Sequence, residues 1–230
     1  MEASEVRKDR ELADIIKNTH KNLRDKTKNN EIEEFEVWKS HVSNLFEDQT
    51  KEYALAMKQL SDEFWTNETR LKWLSDKLNL YFVESDHQRF SNRVNRRLQD
   101  DSKMRENNLV QSELFTVIDV GSCHNPLLKC LKNSEKFQLI AMDLSPACQS
   151  VLRGDFLQVP VMKNDKNVIE NQEMIGFAGS SFDSVIFCLL LEYLPTAKLR
   201  LKAVEKAVDI LKPFGLLLIV TPDSSHIGTV

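Results

Sequence analysis

The sequence predicts an α/β protein: a parallel, Rossmann-like sheet preceded by an all-helical N-terminal region. Three observations predict it. All six glycines and all six prolines lie at or beyond Gly121, so residues 1–120 lack both residues that punctuate turns and break helices. Apolar residues recur at helical spacing through the first 83 residues. From Leu114 onward, short apolar runs alternate with helical segments, the pattern of parallel strands joined by crossovers with helices on both faces.

The helical half reads as four helices. Leu12, Ile15, Ile16, Thr19 and Leu23 share one face of the first, which Ser4 is placed to cap. Ile32, Phe35, Trp38, Val42 and Leu45 mark the second. Tyr53, Ala56, Met57, Leu60 and Phe64 mark the third, and Leu71, Leu74, Leu78 and Tyr81 a fourth that could continue it. Trp38, Trp65 and Trp73 are expected as core anchors of this bundle. Residues 84–112 are mostly polar and read as a linker with a partly helical centre. There Arg89, Arg93, Arg96 and Arg97 have helix-face spacing, either to contact phosphates or as a solvated face; Asp100 and Asp101 follow at once and favour the second. The expected division is therefore a helical domain over residues 1–112 and a sheet domain over residues 113–230.

In the second half, residues 115–120 (FTVIDV) and 137–143 (FQLIAMD) are expected as buried strands. Residues 181–191 contain another, residues 214–221 (FGLLLIVT) a further one, and a short strand is placed around Val151 to Arg153. Residues 196–211 form a helix with Leu199, Ala203, Val204, Ala207 and Leu211 as its apolar stripe. Lys212-Pro213-Phe214-Gly215 is expected to stop that helix and turn into the next strand.

Composition narrows the function. With 31 basic and 35 acidic residues and a net charge of -4, the chain as a whole is not a polycationic nucleic-acid binder. At 41% hydrophobic it has the apolar content for a packed core, unlike a disordered chain. The longest apolar runs, near residues 190 and 218, fall far short of the ~18 residues that span a bilayer. The charged N-terminus shows no signal peptide, so Cys123, Cys130, Cys148 and Cys188 read as reduced thiols, and a cytoplasmic setting is expected.

The chemistry is expected just past the strands, because doubly wound sheets bind ligands at their carboxyl ends. Asp119-Val120-Gly121 follows the first strand: the glycine admits a close backbone approach, and the acid can accept from an ammonium. Asp143 ends the second strand, 22 residues beyond Gly121, where an acidic side chain holds a ribose diol. Gly154-Asp155-Phe156 follows the short element. Its carboxylate can accept from an adenine amino group, and its phenyl ring can stack on the base. Cys188 stands at the mouth of the site, with Phe187 and Leu189 beside it. No catalytic residue and no metal ligand is assigned.

Three acids in register at successive strand ends, followed by Lys212-Pro213-Phe214-Gly215, resemble the class I S-adenosylmethionine-dependent methyltransferases. The glycine-rich loop that cradles a pyrophosphate is missing, which favours that ligand over a dinucleotide. More closely, residues 119–126 (DVGSCHNP), 154–156 (GDF), 185–195 (VIFCLLLEYLP) and 217–226 (LLLIVTPDSSH) resemble the SAMTOR family of S-adenosylmethionine sensors, as do residues 52–65 (EYALAMKQLSDEFW) with 70–73 (RLKW). The likeness runs from about residue 10 to residue 226 and is weakest over 84–112. It implies a methyltransferase fold serving as a nutrient sensor. It also implies that the ligand-free protein associates with the GATOR and KICSTOR complexes and restrains the TOR kinase complex, that S-adenosylmethionine releases that association, and that S-adenosylhomocysteine binds as well. The same likeness implies recruitment to the lysosomal surface through those partners. It places Gly121, Asp143, Asp155, Phe156, Cys188 and, in the helical half, Arg70 at ligand-binding positions. A cation such as Arg70 suits the methionyl carboxylate.

Two departures bear on this. The sequence stops soon after the fifth expected strand, so the sheet is expected to be incomplete, with residues 216–221 at an edge. The Asn/Asp-Pro-Pro-Tyr/Phe motif of many amino-methylating enzymes is replaced by Phe187-Cys188-Leu189-Leu190. A sensor is therefore the first reading, and a methyltransferase acting on an RNA adenine is the alternative.

Overall fold

The computed structural model describes residues 2–28, 33–45, 49–63, 69–84 and 114–222. The expectations for Ile32, Phe64, Trp65, the arginines at 89–97 and the segment after Pro222 lie outside these residues.

Four helices come first: α1 (Glu2–Lys28), α2 (Glu34–Leu45), α3 (Gln49–Glu63) and α4 (Thr69–Leu78). Glu34 and Glu36 in the first turn of α2 complement its dipole. Ser4 lies inside α1 and so does not cap it; the helix already begins at Glu2. From α4 the chain runs directly into one π-helical turn, Asn79–Val83. No helix among the described residues is long and apolar enough to cross a membrane.

Eight strands follow: β1 (Phe115–Val120), β2 (Phe137–Asp143), β3 (Leu152–Arg153), β4 (Val161–Met162), β5 (Val168–Glu170), β6 (Glu173–Ala178), β7 (Phe182–Cys188) and β8 (Leu211–Val220). They form one sheet in the order β4-β6-β3-β2-β1-β7-β8, with β5 added to β6. Every pairing is parallel except β5 with β6. Between β7 and β8 come the single turn α5 (Leu190–Tyr193) and α6 (Ala197–Ile210). The Thr196 hydroxyl caps α6 by accepting from the Leu199 amide, 3.3 Å away.

Strands β1 and β2 have the boundaries read from the sequence, and β3 lies where the short strand was placed. The expected helix between β1 and β2 is absent. In its place stand two 3-10 turns, Pro126–Lys129 and Ser134–Lys136, each entered through an asparagine in the left-handed region, Asn125 and Asn133. Between β2 and β3 there are only bends and turns. Lys212-Pro213-Phe214-Gly215 also differs: it lies inside β8, where the register against β7 shifts. Phe214 has φ 64, and a Cβ on Gly215 would meet the Lys212 carbonyl at 2.9 Å. The irregularity is therefore built into the strand and does not precede it.

The helical half supplies the missing cover. On one face of the sheet, Leu23 of α1 with Trp38 and Val42 of α2 join Ile118, Val120, Phe187 and the buried stripe of α6. On the other, Leu71, Leu74 and Leu78 of α4 with Phe82 join Val117, Phe137, Ile186 and Leu218. Alternate residues of β1 and β7 thus point into opposite cores, as the period of a strand requires. Trp38 is a core anchor as expected, but Trp73 is not. It is 43% exposed on the outer face of α4, with the Lys77 ammonium 5.8 Å from its ring centre.

Candidate functional site

The order of the strands reverses at β1, which lies between β2 and β7. A crevice at the carboxyl ends is the geometric consequence. A cavity opens there, and Arg70, Asp119, Gly121, Asp143, Asp155, Phe156 and Cys188 all line it. The structure thus brings together all seven residues assigned to the ligand, including the one from the helical half, whereas Phe187, expected beside Cys188 at the mouth, is fully buried in the core.

Asp119 is buried. Its Oδ2 accepts from the Ser122 hydroxyl at 2.8 Å, while its Oδ1 has no partner among the described residues. Burial, with Asp143 adding like charge, raises its carboxyl to about 6. Such an oxygen calls for a donor from a ligand.

Asp143 accepts two backbone amides, from Cys123 at 2.9 Å and Ser145 at 2.8 Å. A carboxylate has about four acceptor sites, so each oxygen keeps one for the cavity. Burial outweighs the two amides and raises this carboxyl to about 6 as well.

Asp155 is more heavily used. It accepts from the Leu157 amide at 2.9 Å, the Gln158 side chain at 2.6 Å and the Trp38 indole at 2.8 Å. The Trp38 bond ties α2 to the turn after β3. Phe156, expected as a stacking ring, is only 5% exposed; its ring packs between Phe177 and Phe187, each at 5.5 Å.

Gly121 has φ 78, which favours glycine. A Cβ there would meet Leu190 Cδ1 at 3.0 Å, so a side chain would press first on a cavity-lining leucine and not on open space. Cys188 interacts with the Arg70 side chain, and burial pushes its thiol up to about 11. Burial likewise pushes the Cys123 thiol, which donates to the Ala54 carbonyl at 3.4 Å, up to about 12. Both stay protonated at neutral pH and are poor nucleophiles.

Sequence reasoning missed an aromatic part of the cavity wall. Tyr53 of α3 and Tyr193 of α5 line the cavity with ring centres 5.3 Å apart. His20 Nε2 shares a hydrogen bond with the Tyr53 hydroxyl (3.1 Å), and His41 Nε2 with that of Tyr193 (3.0 Å). Lys206 was missed too: its ammonium donates to the Leu157 and Val159 carbonyls at 2.8 and 2.6 Å, fixing the turn that carries Asp155. The Lys206 signal was its place beside Ala203 and Ala207 on α6. The histidines gave none, because their partners lie 33 and 152 residues away.

Burial lowers both histidines to about 4, with Arg24 acting on His20 and Lys26 on His41. Unfolded histidines titrate near 6.5. Between pH 6.5 and 4 the unfolded chain therefore binds more protons at these sites, and stability is lost as pH falls. A His20→Gln/His41→Gln variant lacks that loss. Urea unfolding at pH 6.5 and 4.5 should show the variant gaining on the wild type at the lower pH. A constant difference would mean the imidazoles are not held neutral.

Residues 118–219 match the family described as a methyltransferase domain. The chain is 31% identical over 246 residues to a zebrafish (Danio rerio) protein named "S-adenosylmethionine sensor upstream of mTORC1", covering 94% of this chain and 61% of that protein. Proteins of the same name from Xenopus tropicalis and Xenopus laevis are each 30% identical, again over 94% of this chain and 60% of theirs. The chain spans about three fifths of the length of these relatives.

Proposed function

We propose that this chain, a homologue of proteins named S-adenosylmethionine sensors and built on a class I methyltransferase-like fold, is itself an S-adenosylmethionine-binding sensor acting upstream of the TOR kinase complex. The observation that carries the reading is the convergence of three strand-end carboxylates and Arg70 on one cavity. Asp143 takes the ribose hydroxyls with its spare acceptor sites. Asp155 takes the adenine amino group. The partnerless Oδ1 of Asp119 suits the ligand's ammonium, and Arg70 suits its carboxylate. The positive φ of Gly121 turns the backbone tightly beside them.

Without ligand the protein associates with GATOR and KICSTOR at the lysosomal surface and restrains the kinase; ligand binding releases it. S-adenosylhomocysteine shares the adenosine and amino-acid groups and binds the same residues. The sheet domain from residue 113 holds the nucleoside, and the helical domain before it completes the wall. An RNA-adenine methyltransferase is the less favoured reading. Cys188 ends β7 and Leu189 and Leu190 follow it; the thiol is only a weak acceptor for a reacting amine, and the leucine side chains offer none.

Calorimetric titration with S-adenosylmethionine and S-adenosylhomocysteine tests the reading, with methyl transfer to total RNA measured in parallel. Asp143→Asn keeps one acceptor for the Cys123 and Ser145 amides, whereas Asp143→Ala keeps none. Hydrogen bonds to a charged group contribute about 1.5–3 kcal/mol each, so the alanine variant, losing two, should bind at least about a hundredfold more weakly and the asparagine variant lie between. Unchanged affinity in Asp143→Ala would remove the ribose assignment. Methyl transfer at enzymatic rates would favour the enzyme.

A further inference from the structure

Resting on the reading above, we propose that Tyr53 and Tyr193 form an aromatic subsite that stacks on the ligand's purine, with His20 and His41 as the residues that position them. The ring expected to stack, Phe156, lines the cavity but is only 5% exposed. Phe177 and Phe187 flank it, and the Lys206 ammonium lies 5.9 Å from its centre. A flat heterocycle in the cavity finds more aromatic surface elsewhere on the wall.

Tyr53 and Tyr193 provide it from opposite sides of the chain's two halves. Both line the cavity, and both lie in electrostatic reach of Asp143; Tyr193 also senses Asp155. The pair therefore lines the same cavity as the acceptors assigned to ribose and base. Each hydroxyl is already bonded to a half-buried imidazole, so its polar end is satisfied and its ring is held in place. What remains for the cavity is ring carbon. Trp38, whose ring centre is 6.0 Å from that of Tyr193, closes the cluster and is fixed in turn by Asp155. This arrangement suits a planar base carrying an amino donor, and it makes the helical half a determinant of base recognition.

Calorimetry with adenosine and with S-adenosylmethionine tests this on Tyr193→Phe, Tyr193→Leu, Tyr53→Phe and Tyr53→Leu. Stacking of a base on an aromatic ring is lost in the leucine variants, so both ligands should weaken by a similar factor of about ten. The phenylalanine variants should stay within about threefold of wild type. His41→Leu should weaken binding a few-fold alone and add nothing in a Tyr193→Phe background, because both changes remove the same hydrogen bond. Adenosine should also lose ultraviolet absorbance on binding the wild-type protein, a measurement that needs no variant to fold. Leucine variants as tight as wild type, or unchanged adenosine absorbance on binding, would overturn the stacking subsite and leave the sensor reading intact. A wild-type protein that binds neither ligand would overturn both.

Discussion

Gly121→Asp is expected to abolish measurable S-adenosylmethionine binding. Three effects add. The φ of 78 suits glycine, and a residue with a Cβ pays about 1–2 kcal/mol in this region. The Cβ itself arrives 3.0 Å from Leu190 Cδ1, and Leu190 is part of the cavity wall, so its displacement narrows the space for a ligand. The new carboxylate then joins Asp119 and Asp143, both already raised to about 6 in this buried crevice. Gly121→Ala separates these effects: it keeps the first two and lacks the charge, so it should weaken binding less. In a sensor that releases its partners on binding ligand, Gly121→Asp behaves as permanently starved. Pull-down of GATOR and KICSTOR components should give the same yield with and without S-adenosylmethionine. Constitutive release would reverse the proposed sign of regulation.

The parts of this site that were legible in the sequence are those where one residue carries its own signal. A buried parallel strand is a continuous apolar run, so β1 and β2 could be bounded to the residue, and a carboxylate ending such a run is conspicuous. Strands β4 to β6 were not legible. Two have only two or three residues, and the β5–β6 hairpin turns at Asn171-Gln172, both at positive φ, without the Asn-Gly pair that usually marks such a turn. The crossover helix over residues 196–211 forms as expected, but none forms between β1 and β2 or between β2 and β3, where the alternation of strands implied one. What the pattern could not show is that α1, α2 and α4 already cover both faces. Tyr53 and Tyr193 were read as part of a helix face and of a motif. Their role at the cavity depends on contacts between distant segments, which no local spacing encodes.

The same packing decides which element can respond to ligand, and it bears on Arg70→Ala. This variant should bind S-adenosylmethionine at least about a hundredfold more weakly, because two charge-assisted bonds to the methionyl carboxylate contribute about 1.5–3 kcal/mol each. Adenosine, which has no carboxylate, should bind nearly as before. Arg70→Lys should recover only part of the loss, since an ammonium lacks the planar fork. Arg70 stands in the first turn of α4, and Leu71, Leu74 and Leu78 anchor that helix in the core against β1 and β7. Lifting α4 would expose three side chains at about 1.5–3 kcal/mol each, so Arg70 is a fixed point and not a moving one. Helix α3 is different: none of its residues belongs to either sheet core. It meets the sheet domain at the cavity wall, through Ala54 with Cys123, Asp62 with His124 at 3.8 Å, and Tyr53 with Tyr193. A ligand seated between Arg70 and the strand-end carboxylates favours the arrangement in which α3 is closed over it, and only such differential affinity can shift the population. Moving from mostly open to mostly closed takes about 5.5 kcal/mol, within reach of the carboxylate pair together with the base contacts. Hydrogen exchange in residues 49–63 should therefore slow when S-adenosylmethionine is added, and more than in residues 69–84. Adenosine should slow it less, because it leaves Arg70 unengaged. Equal exchange in α3 with and without S-adenosylmethionine would mean that the helical half is a fixed wall, and the release of partners would need another cause.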